Sequence, residues 1–406
     1  MNDTIIIAGA GQAGTQAAIS LRDLGHAGRI VLVGDEIDLP YQRPPLSKTY
    51  LKSGASPLPL RAEKIFIDKQ IELLRDVSVV SIDRSKREVR LSSGQAENYA
   101  YLILALGGSN RRFPGDSDGI LMLRTRSDAD RIRERLSEPR RVVIIGAGFV
   151  GLEVASSLRG LGHKVTVVDI APRVLARSVS VPTSNFVRSL HEENGVDLRC
   201  DAGSVSYKPL ADGKAEVHIT GEVLLADLVF AGIGIEPNVA LAEAAGLETR
   251  NGIVVDEFLS TADPAIFAIG DCAAFRSVYA DGLIRIESVQ NAVDQAKFVA
   301  AVIMGNKQAP YRAVPWFWSD QHNVKLQIAG LSGGHDEAIL RGNPEEKKFS
   351  VYCFKEGKCV AIESINAPAD HMDARKLFAG NIPLTKQDFL EPDFSLKKFL
   401  VRNQPA

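Results

Sequence analysis

Residues 142–153, V-V-I-I-G-A-G-F-V-G-L-E, leave this chain few folds to choose from. A β-branched apolar run enters a Gly-x-Gly-x-x-Gly turn and leaves it as an apolar helix start, the setting in which that glycine spacing carries chemistry. Gly146 permits the tight turn, Gly148 lets backbone N–H groups approach a pyrophosphate, and Gly151 lets helix and strand pack closely. Phosphate charge then sits at the positive end of a helix dipole. A glycine turn kept only for packing is the alternative, and a second copy weakens it. Residues 5–14 read I-I-I-A-G-A-G-Q-A-G, and the two first glycines, Gly9 and Gly146, are 137 residues apart. Two copies imply two nucleotide sites.

The 406 residues suffice for two or three domains, and 45% apolar with 24% charged residues is ordinary for a globular chain. A formal charge of −2 gives no support to a nucleic-acid partner. Cys200, Cys272, Cys353 and Cys359 form neither a Cys-x-x-Cys pair nor a metal-spaced cluster, so no metal is expected and a reducing compartment is. Cys353 and Cys359 flank a predicted hairpin at Glu356 and Gly357, where a disulfide is the weaker reading. The short lead before the first strand leaves no room for a signal peptide, and no apolar run reaches the roughly 18 residues of a membrane helix. A cytoplasmic protein without membrane contact is expected.

The first unit reads as a strand at 4–8, a helix at 13–24 and a strand at 29–33 that ends in Gly34, Asp35 and Glu36. A carboxylate about 20 residues past the glycines hydrogen-bonds ribose hydroxyls; Asp35 lies 21 past Gly14, and one of Asp35 and Glu36 is read as plain surface. Residues 40–48, P-Y-Q-R-P-P-L-S-K, are predicted to lack regular structure; the loop either presents Arg43, Ser47 and Lys48 to a site or merely connects. A helix and a strand at 72–80 follow, then alternation at 87–91 and a buried strand at 101–105 closing on Leu106, Gly107 and Gly108. Small residues there let backbone pass close to a cofactor.

After a helix at 124–137 the second unit repeats the first, with a helix at 151–161 and a strand at 164–168 ending at Asp169, 18 residues past Gly151. A carboxylate there accepts from a free ribose 2′-hydroxyl and repels a 2′-phosphate, which favours NADH over NADPH, although Arg173 lies near. A helix at 184–193 and an apolar run at 227–235 complete this unit. The strand at 265–269 ends at Gly270 and Asp271, where open α/β sheets bind ligands, with a helix N-cap as the rival role for Asp271 and a helix-like segment expected after it. A helix at 285–304 precedes P-W-F-W-S-D-Q at 315–321. Trp316 and Trp318 share one face of a strand, either over a planar cofactor or in a core. Alternation at 325–329, 348–354 and 358–364, then a helix from 370, reads as a small α+β tail.

These features in this order resemble the FAD-containing, NADH-dependent ferredoxin reductases of the glutathione-reductase-like superfamily, the group that includes putidaredoxin reductase and aromatic-ring dioxygenase reductases. R-P-P-L-S-K and P-W-F-W-S-D are its more specific parts, and the resemblance covers essentially the whole chain. It implies an α/β fold with two Rossmann-type dinucleotide-binding domains, FAD on 1–108 and 243–318 and NADH on 109–242, and a C-terminal α+β domain at 319–406. By resemblance, Gly9, Ala10, Gly11, Gln12, Ala13 and Gly14 hold the FAD pyrophosphate and Asp35 or Glu36 the adenosine ribose. Arg43 and Lys48 lie along the flavin and its phosphates, and Val79 touches the adenine. Ala105, Leu106, Gly107, Arg126, Gly270, Asp271, Ser288 and Val289 make further FAD contacts, and Trp318 flanks the ring. Gly146, Gly148, Phe149, Val150, Gly151, Asp169 and Gly234 form the NADH site. The resemblance also pairs Lys48 with Glu153 beside flavin N5 as the catalytic groups.

One departure bears on chemistry. Disulfide reductases of the superfamily carry cysteine on the first helix after the adenine-side acid, whereas this chain has Pro44, Pro45 and Leu46 there. Electrons are therefore expected to leave singly, and the resemblance implies that they pass to a small acidic [2Fe-2S] ferredoxin serving a cytochrome P450 or ring-hydroxylating oxygenase. Lys297 and Arg312 are candidate docking cations on a monomer or weak dimer. The rivals are a monodehydroascorbate- or quinone-type reductase and an apoptosis-inducing-factor-like NADH-binding flavoprotein. If Asp169 sets the pyridine preference, kcat/KM for NADH exceeds that for NADPH by well over tenfold, or about 1.4 kcal/mol of transition-state discrimination. Near-equal values in steady-state assays sink that assignment.

Overall fold

A computed structural model describes residues 3–55, 58–115, 117–306 and 309–403. Close contacts gather the chain into two compact units. One comprises Met1–Gln42, Pro57–Ser109 and Ile235–Pro315, the other Arg43–Ser56, Asn110–Gly234 and Trp316–Ala406.

The first unit is built on a parallel sheet in the spatial order Ile266–Ala268, Tyr101–Leu104, Ile5–Ala8, Ile30–Val33, Ile71–Leu74. Ile5–Ala8 and Ile30–Val33 are buried at every position, so they read as unbroken apolar runs because both sheet faces are covered. Each such Ile, Leu or Val removes apolar surface worth about 1.5–3 kcal/mol. The helix Gln12–Asp23 makes the crossover between the first two strands and packs on the helix Val289–Ile303.

The second unit repeats the plan. Its parallel sheet runs Val196–Arg199, Lys164–Val168, Arg141–Ile145, Leu228–Ala231, with Phe149–Gly160 as the crossover helix. A separate antiparallel sheet in this unit runs Trp316–Gln321, Val324–Gly330, Lys358–Ile365, Lys348–Lys355, Glu337–Asn343, and the helix Pro368–Ala379 packs on it. The expected α/β class with two Rossmann-type sheets and a C-terminal α+β part is what the chain adopts. The hairpin at Glu356 and Gly357 is present, both residues having the positive φ that a two-residue turn of the strands' twist requires. Cys353 faces Ala361 across it, Cys359 faces Phe354, and both thiols are free.

Three local expectations fail for identifiable reasons, and one strand was not expected. Residues 44–53 are regular, with Pro44–Ser47 a 3-10 turn and Thr49–Ser53 a short helix, because proline at a helix start gives up no hydrogen bond. The strand at 72–80 is two strands, Ile71–Leu74 and Val79–Asp83, belonging to different sheets. After Asp271 comes the strand Ala273–Arg276 rather than a helix, since a short apolar run does not distinguish the two. The edge strand Glu337–Asn343 is partly exposed over most of its length, and nothing forces alternation on it.

A methyl added at Gly151 would lie 2.1 Å from the Gly146 carbonyl oxygen, whereas one at Gly148 comes no closer than 3.9 Å to the Gly232 oxygen. Gly151→Ala is therefore expected to cost about 1–3 kcal/mol in chemical denaturation, and Gly148→Ala much less. Equal losses at the two positions contradict this account of the turn.

Candidate functional site

The two glycine turns have the same construction. Gly9 and Gly146 both take φ of +108°, and a Cβ on either would strike a carbonyl of a neighbouring strand's exit, 2.2 Å from Ala105 O and 2.5 Å from Gly232 O respectively. Gly14 is closed in the same way by the Gly9 carbonyl at 1.8 Å. The middle glycines differ: a Cβ at Gly11 meets nothing within 4 Å. Gly11 and Gly148 are the N-caps of their helices and neither end has a side-chain cap, so the first N–H groups face that open space. Unsatisfied donors at a helix N-terminus beside room for backbone approach suit a dinucleotide pyrophosphate. Gly232, one of the glycines ending the run at 227–235, holds for Gly146 the place that Ala105 holds for Gly9.

Of the residues named for FAD, Gly9, Ala10, Gly11, Gln12, Ala13, Gly14, Asp35, Glu36, Val79, Ala105, Leu106, Gly107, Gly270, Asp271, Ser288 and Val289 belong to the first unit, whereas Arg43, Lys48, Arg126 and Trp318 belong to the second. Gly270 has φ of +75° and its Cα lies close to Ala13, while its N–H donates to Gln295 Oε1 at 2.7 Å. Asp271 follows it in the same 3-10 turn, so the N-cap alternative falls away. Asn238 Nδ2 donates to the Leu106 carbonyl and its N–H to the Gly107 carbonyl, fixing the strand exit. Ser288 caps the helix Val289–Ile303 by accepting from the Asn291 N–H at 3.0 Å, which leaves Val289 at its first position. The acid pair is now distinguished: Glu36 accepts from the Tyr41 hydroxyl at 2.6 Å, whereas Asp35 is exposed. Val79 is half-buried at the start of its strand. A cleft lined by Ile37, Leu73, Leu74, Arg75, Asp76 and Val77 lies close in sequence to both. An exposed isoleucine just after the acid pair was the missed signal for it.

In the second unit each Asp169 oxygen takes a backbone N–H, from Ala147 at 2.6 Å and Ala171 at 2.8 Å, so the carboxylate is aimed at the second glycine turn. Arg173 is turned to the Ala176 carbonyl. Phe149 packs against Phe317 with centroids 4.6 Å apart and planes inclined at 44°, Val150 is exposed, and Gly234 takes φ of +99°. Arg43 donates to the Arg124 carbonyl at 2.7 Å, and Arg126 reaches the Tyr50 hydroxyl at 3.3 Å. Trp316 and Trp318 lie on one strand face with centroids 5.8 Å apart, both half-buried.

Lys48 and Glu153 meet in the second unit, with Nζ 2.7 Å from Oε2. The Ser47 hydroxyl donates to the same oxygen at 2.6 Å and the Ser319 hydroxyl to Oε1 at 2.6 Å. Glu153 is 5% exposed, and a buried carboxylate persists only with such compensation. Neither serine was assigned to this pair from the sequence. Beyond Ser319 lie Gln321 and the buried His191, whose ring meets that of His322. Burial pushes both imidazoles down to about 4 from an ordinary value near 6.5.

Comparison with known proteins fits this arrangement. Residues 3–296 match the family model described as pyridine nucleotide-disulphide oxidoreductase, and residues 316–400 that described as reductase C-terminal. The chain belongs to the pyridine nucleotide-disulphide oxidoreductase family. A relative, rhodocoxin reductase of Rhodococcus erythropolis, is 45% identical over 408 residues, covering 99% of this chain and 95% of that protein. The crystal structure of the ferredoxin reductase for the CYP199A2 system from Rhodopseudomonas palustris superposes with a TM-score of 0.93 at 46% identity, covering 98% of this chain and all of that one. Putidaredoxin reductase in its covalent complex with putidaredoxin gives a TM-score of 0.94 at 39% identity over the full length of both chains. The family uses FAD and a nicotinamide dinucleotide, and the two open cradles fit both.

The two depressed imidazoles make stability depend on pH. Below about pH 6.5 the unfolded chain binds protons that the folded one refuses, so this contribution is complete above pH 6.5 and is lost as pH falls towards about 4. Urea midpoints should fall from pH 7 to pH 5, and His191→Gln should flatten that slope; an identical slope in the variant removes His191 as its source.

Proposed function

We propose that this protein is a soluble cytoplasmic flavoprotein that takes electrons from NADH on FAD and delivers them singly to a small acidic [2Fe-2S] ferredoxin. The FAD division comprises residues 1–108 and 243–318, the NADH division 109–242, and the C-terminal part 319–406. The observation that carries the reading is the turn Pro44–Ser47. Where disulfide reductases place a thiol, this chain presents a proline-stiffened turn that delivers Lys48 to Glu153. The described cysteines lie elsewhere, Cys272 fully buried with its thiol pushed up to about 11 by burial. A reductase without a thiol relay hands its electrons to an external carrier. The names of its relatives, rhodocoxin reductase and putidaredoxin reductase, point to a ferredoxin of a cytochrome P450 system as that carrier.

In this reading the cradle at Gly9, Gly11 and Gly14 binds FAD, with exposed Asp35 rather than Glu36 on the ribose. The cradle at Gly146, Gly148 and Gly151 binds NADH, with Asp169 beside it. Flavin held there would supply the hydride-accepting redox chemistry, and the protein's residues would stack, orient and tune it. Lys48 would place positive charge beside the flavin and favour its reduced form, and Glu153 offsets the cost of burying the ammonium. Lys297 and Arg312 are exposed, as docking cations for an acidic partner must be. No helix among the described residues is long and apolar enough to cross a membrane.

NADH-driven cytochrome c reduction with and without an added [2Fe-2S] ferredoxin tests the reading. Rapid turnover that depends on ferredoxin supports it, and ferredoxin-independent reduction of a quinone or radical contradicts it. In the same preparation Glu153→Gln should slow flavin reduction about tenfold, or 1.4 kcal/mol, while changing the Kd for NADH far less. An unchanged reduction rate returns Glu153 to a structural role.

A further inference from the structure

Glu153 is one end of a longer line of side chains, all in the second unit. The Ser319 hydroxyl sits 2.6 Å from Glu153 Oε1, Gln321 Nε2 lies 2.8 Å from Ser319 Oγ, and Gln321 Oε1 lies 2.9 Å from His191 Nε2. His191 Nδ1 is 3.2 Å from His322 Nε2. Ser319, Gln321 and His191 are completely buried, and His322 is half-buried in the turn between the strands Trp316–Gln321 and Val324–Gly330.

The carboxylate end dictates the direction of every bond in this line. An ionised carboxylate only accepts, so Ser319 spends its single proton on Glu153 and must itself accept from the Gln321 amide nitrogen. The amide oxygen then faces His191, whose Nε2 carries the hydrogen; a neutral imidazole has only one, so Nδ1 accepts from His322 Nε2–H. A neutral His191 is what this pattern requires, since its Nδ1 must accept; the bonds leave the charge of His322 open. Burial favours the neutral form at His191, and at His322 burial does the same, with His191, Lys52, Lys347 and Arg159 adding to it. The line is also tied to the helix that carries Glu153. The His322 N–H donates to Ser156 Oγ at 2.9 Å, and Gln321 Nε2 reaches the Phe149 carbonyl at 3.5 Å. A merely structural core would be served as well by apolar side chains.

We propose that His191 and His322 are positioning residues for the Lys48–Glu153 pair, orienting Gln321 and Ser319 so that Glu153 Oε1 is held by a fixed donor while Oε2 faces Lys48. Through that hold they set how much of the Lys48 charge is compensated, and therefore the potential at which the flavin is reduced. The inference rests on the reading that Lys48 lies against the flavin. Loss of the donor chain lets the Glu153 carboxylate turn away from Lys48, which leaves more uncompensated positive charge there and raises the potential. His322 acts at the greatest remove, and its ring reaches the pair only through His191.

The test is a dye-coupled redox titration of the holoprotein and four variants at pH 7. Lys48→Met should lower the midpoint. Ser319→Ala and His191→Phe should raise it, by about tenfold in the oxidised-to-reduced ratio, or about 30 mV for a two-electron couple. His191→Gln, which keeps a donor and an acceptor, should return the midpoint towards that of the parent. If Lys48→Met shifts the potential and neither Ser319→Ala nor His191→Phe does, the histidines are satisfied core residues and the proposal fails. If Lys48→Met leaves it unchanged, the placement of Lys48 against the flavin is wrong and the inference falls with it. Ser319→Ala removes one oxygen from a strand and carries the test should His191→Phe fail to retain FAD.

Discussion

A carboxylate that is 5% exposed on the second turn of a helix is a constraint that the rest of a unit has to meet. Glu153 meets it with one ammonium and two hydroxyls, which come from Lys48, Ser47 and Ser319. Those groups lie on a proline-started turn and an antiparallel strand, each far in sequence from the helix that carries Glu153. The ion pair is weak as a source of net stability, because desolvating two charges offsets most of their attraction. Its effect is on specificity: each of these elements must be in register for the carboxylate to be satisfied at all. Ser157, one turn further along the same helix, donates to the Ser47 carbonyl at 2.6 Å and holds the turn that supplies two of the three partners.

Backbone sterics play the equivalent part in the two cradles. In each, a first glycine lets a neighbouring strand's carbonyl approach where a Cβ would stand, and a third glycine lets the helix close on the turn. Only the middle position is left open. Close packing on two sides with space on the third turns a helix N-terminus into a binding site rather than a packing contact. That the geometry recurs after 137 residues, with the same φ at the first glycine, means that one local solution serves both nucleotides.

Much of this was legible in the sequence because it is local. The strand predicted at 164–168 is Lys164–Val168, and both glycine turns fall where their spacing puts them. Buried parallel strands read as apolar runs and helices as periodic ones. Long-range pairing leaves no such trace: Ser47 and Glu153 are 106 positions apart, and the Lys48 contact came from resemblance rather than from any pattern. Ser319 and Gln321 sit in W-F-W-S-D-Q, where the tryptophans drew the reading and the polar residues alternating with them were passed over. Asp35 and Glu36 were indistinguishable until Tyr41, five residues on, was seen to engage one of them.

The proline-rich segment shows how one local choice connects these levels. Two prolines at the start of a turn cost no hydrogen bond and fix φ, so the turn is rigid before anything packs on it. Rigidity there places Ser47 and Lys48 together on Glu153 with little entropy left to lose. A reactive thiol in the same segment would need freedom to swing between a flavin and a partner sulfur. A turn stiff enough to hold an ion pair and a turn loose enough to relay a disulfide are incompatible demands on the same residues. The absence of cysteine from residues 40–53 and the presence of Pro44, Pro45 and Lys48 are therefore one feature, and electron exit without a thiol follows from the backbone as much as from the missing sulfur.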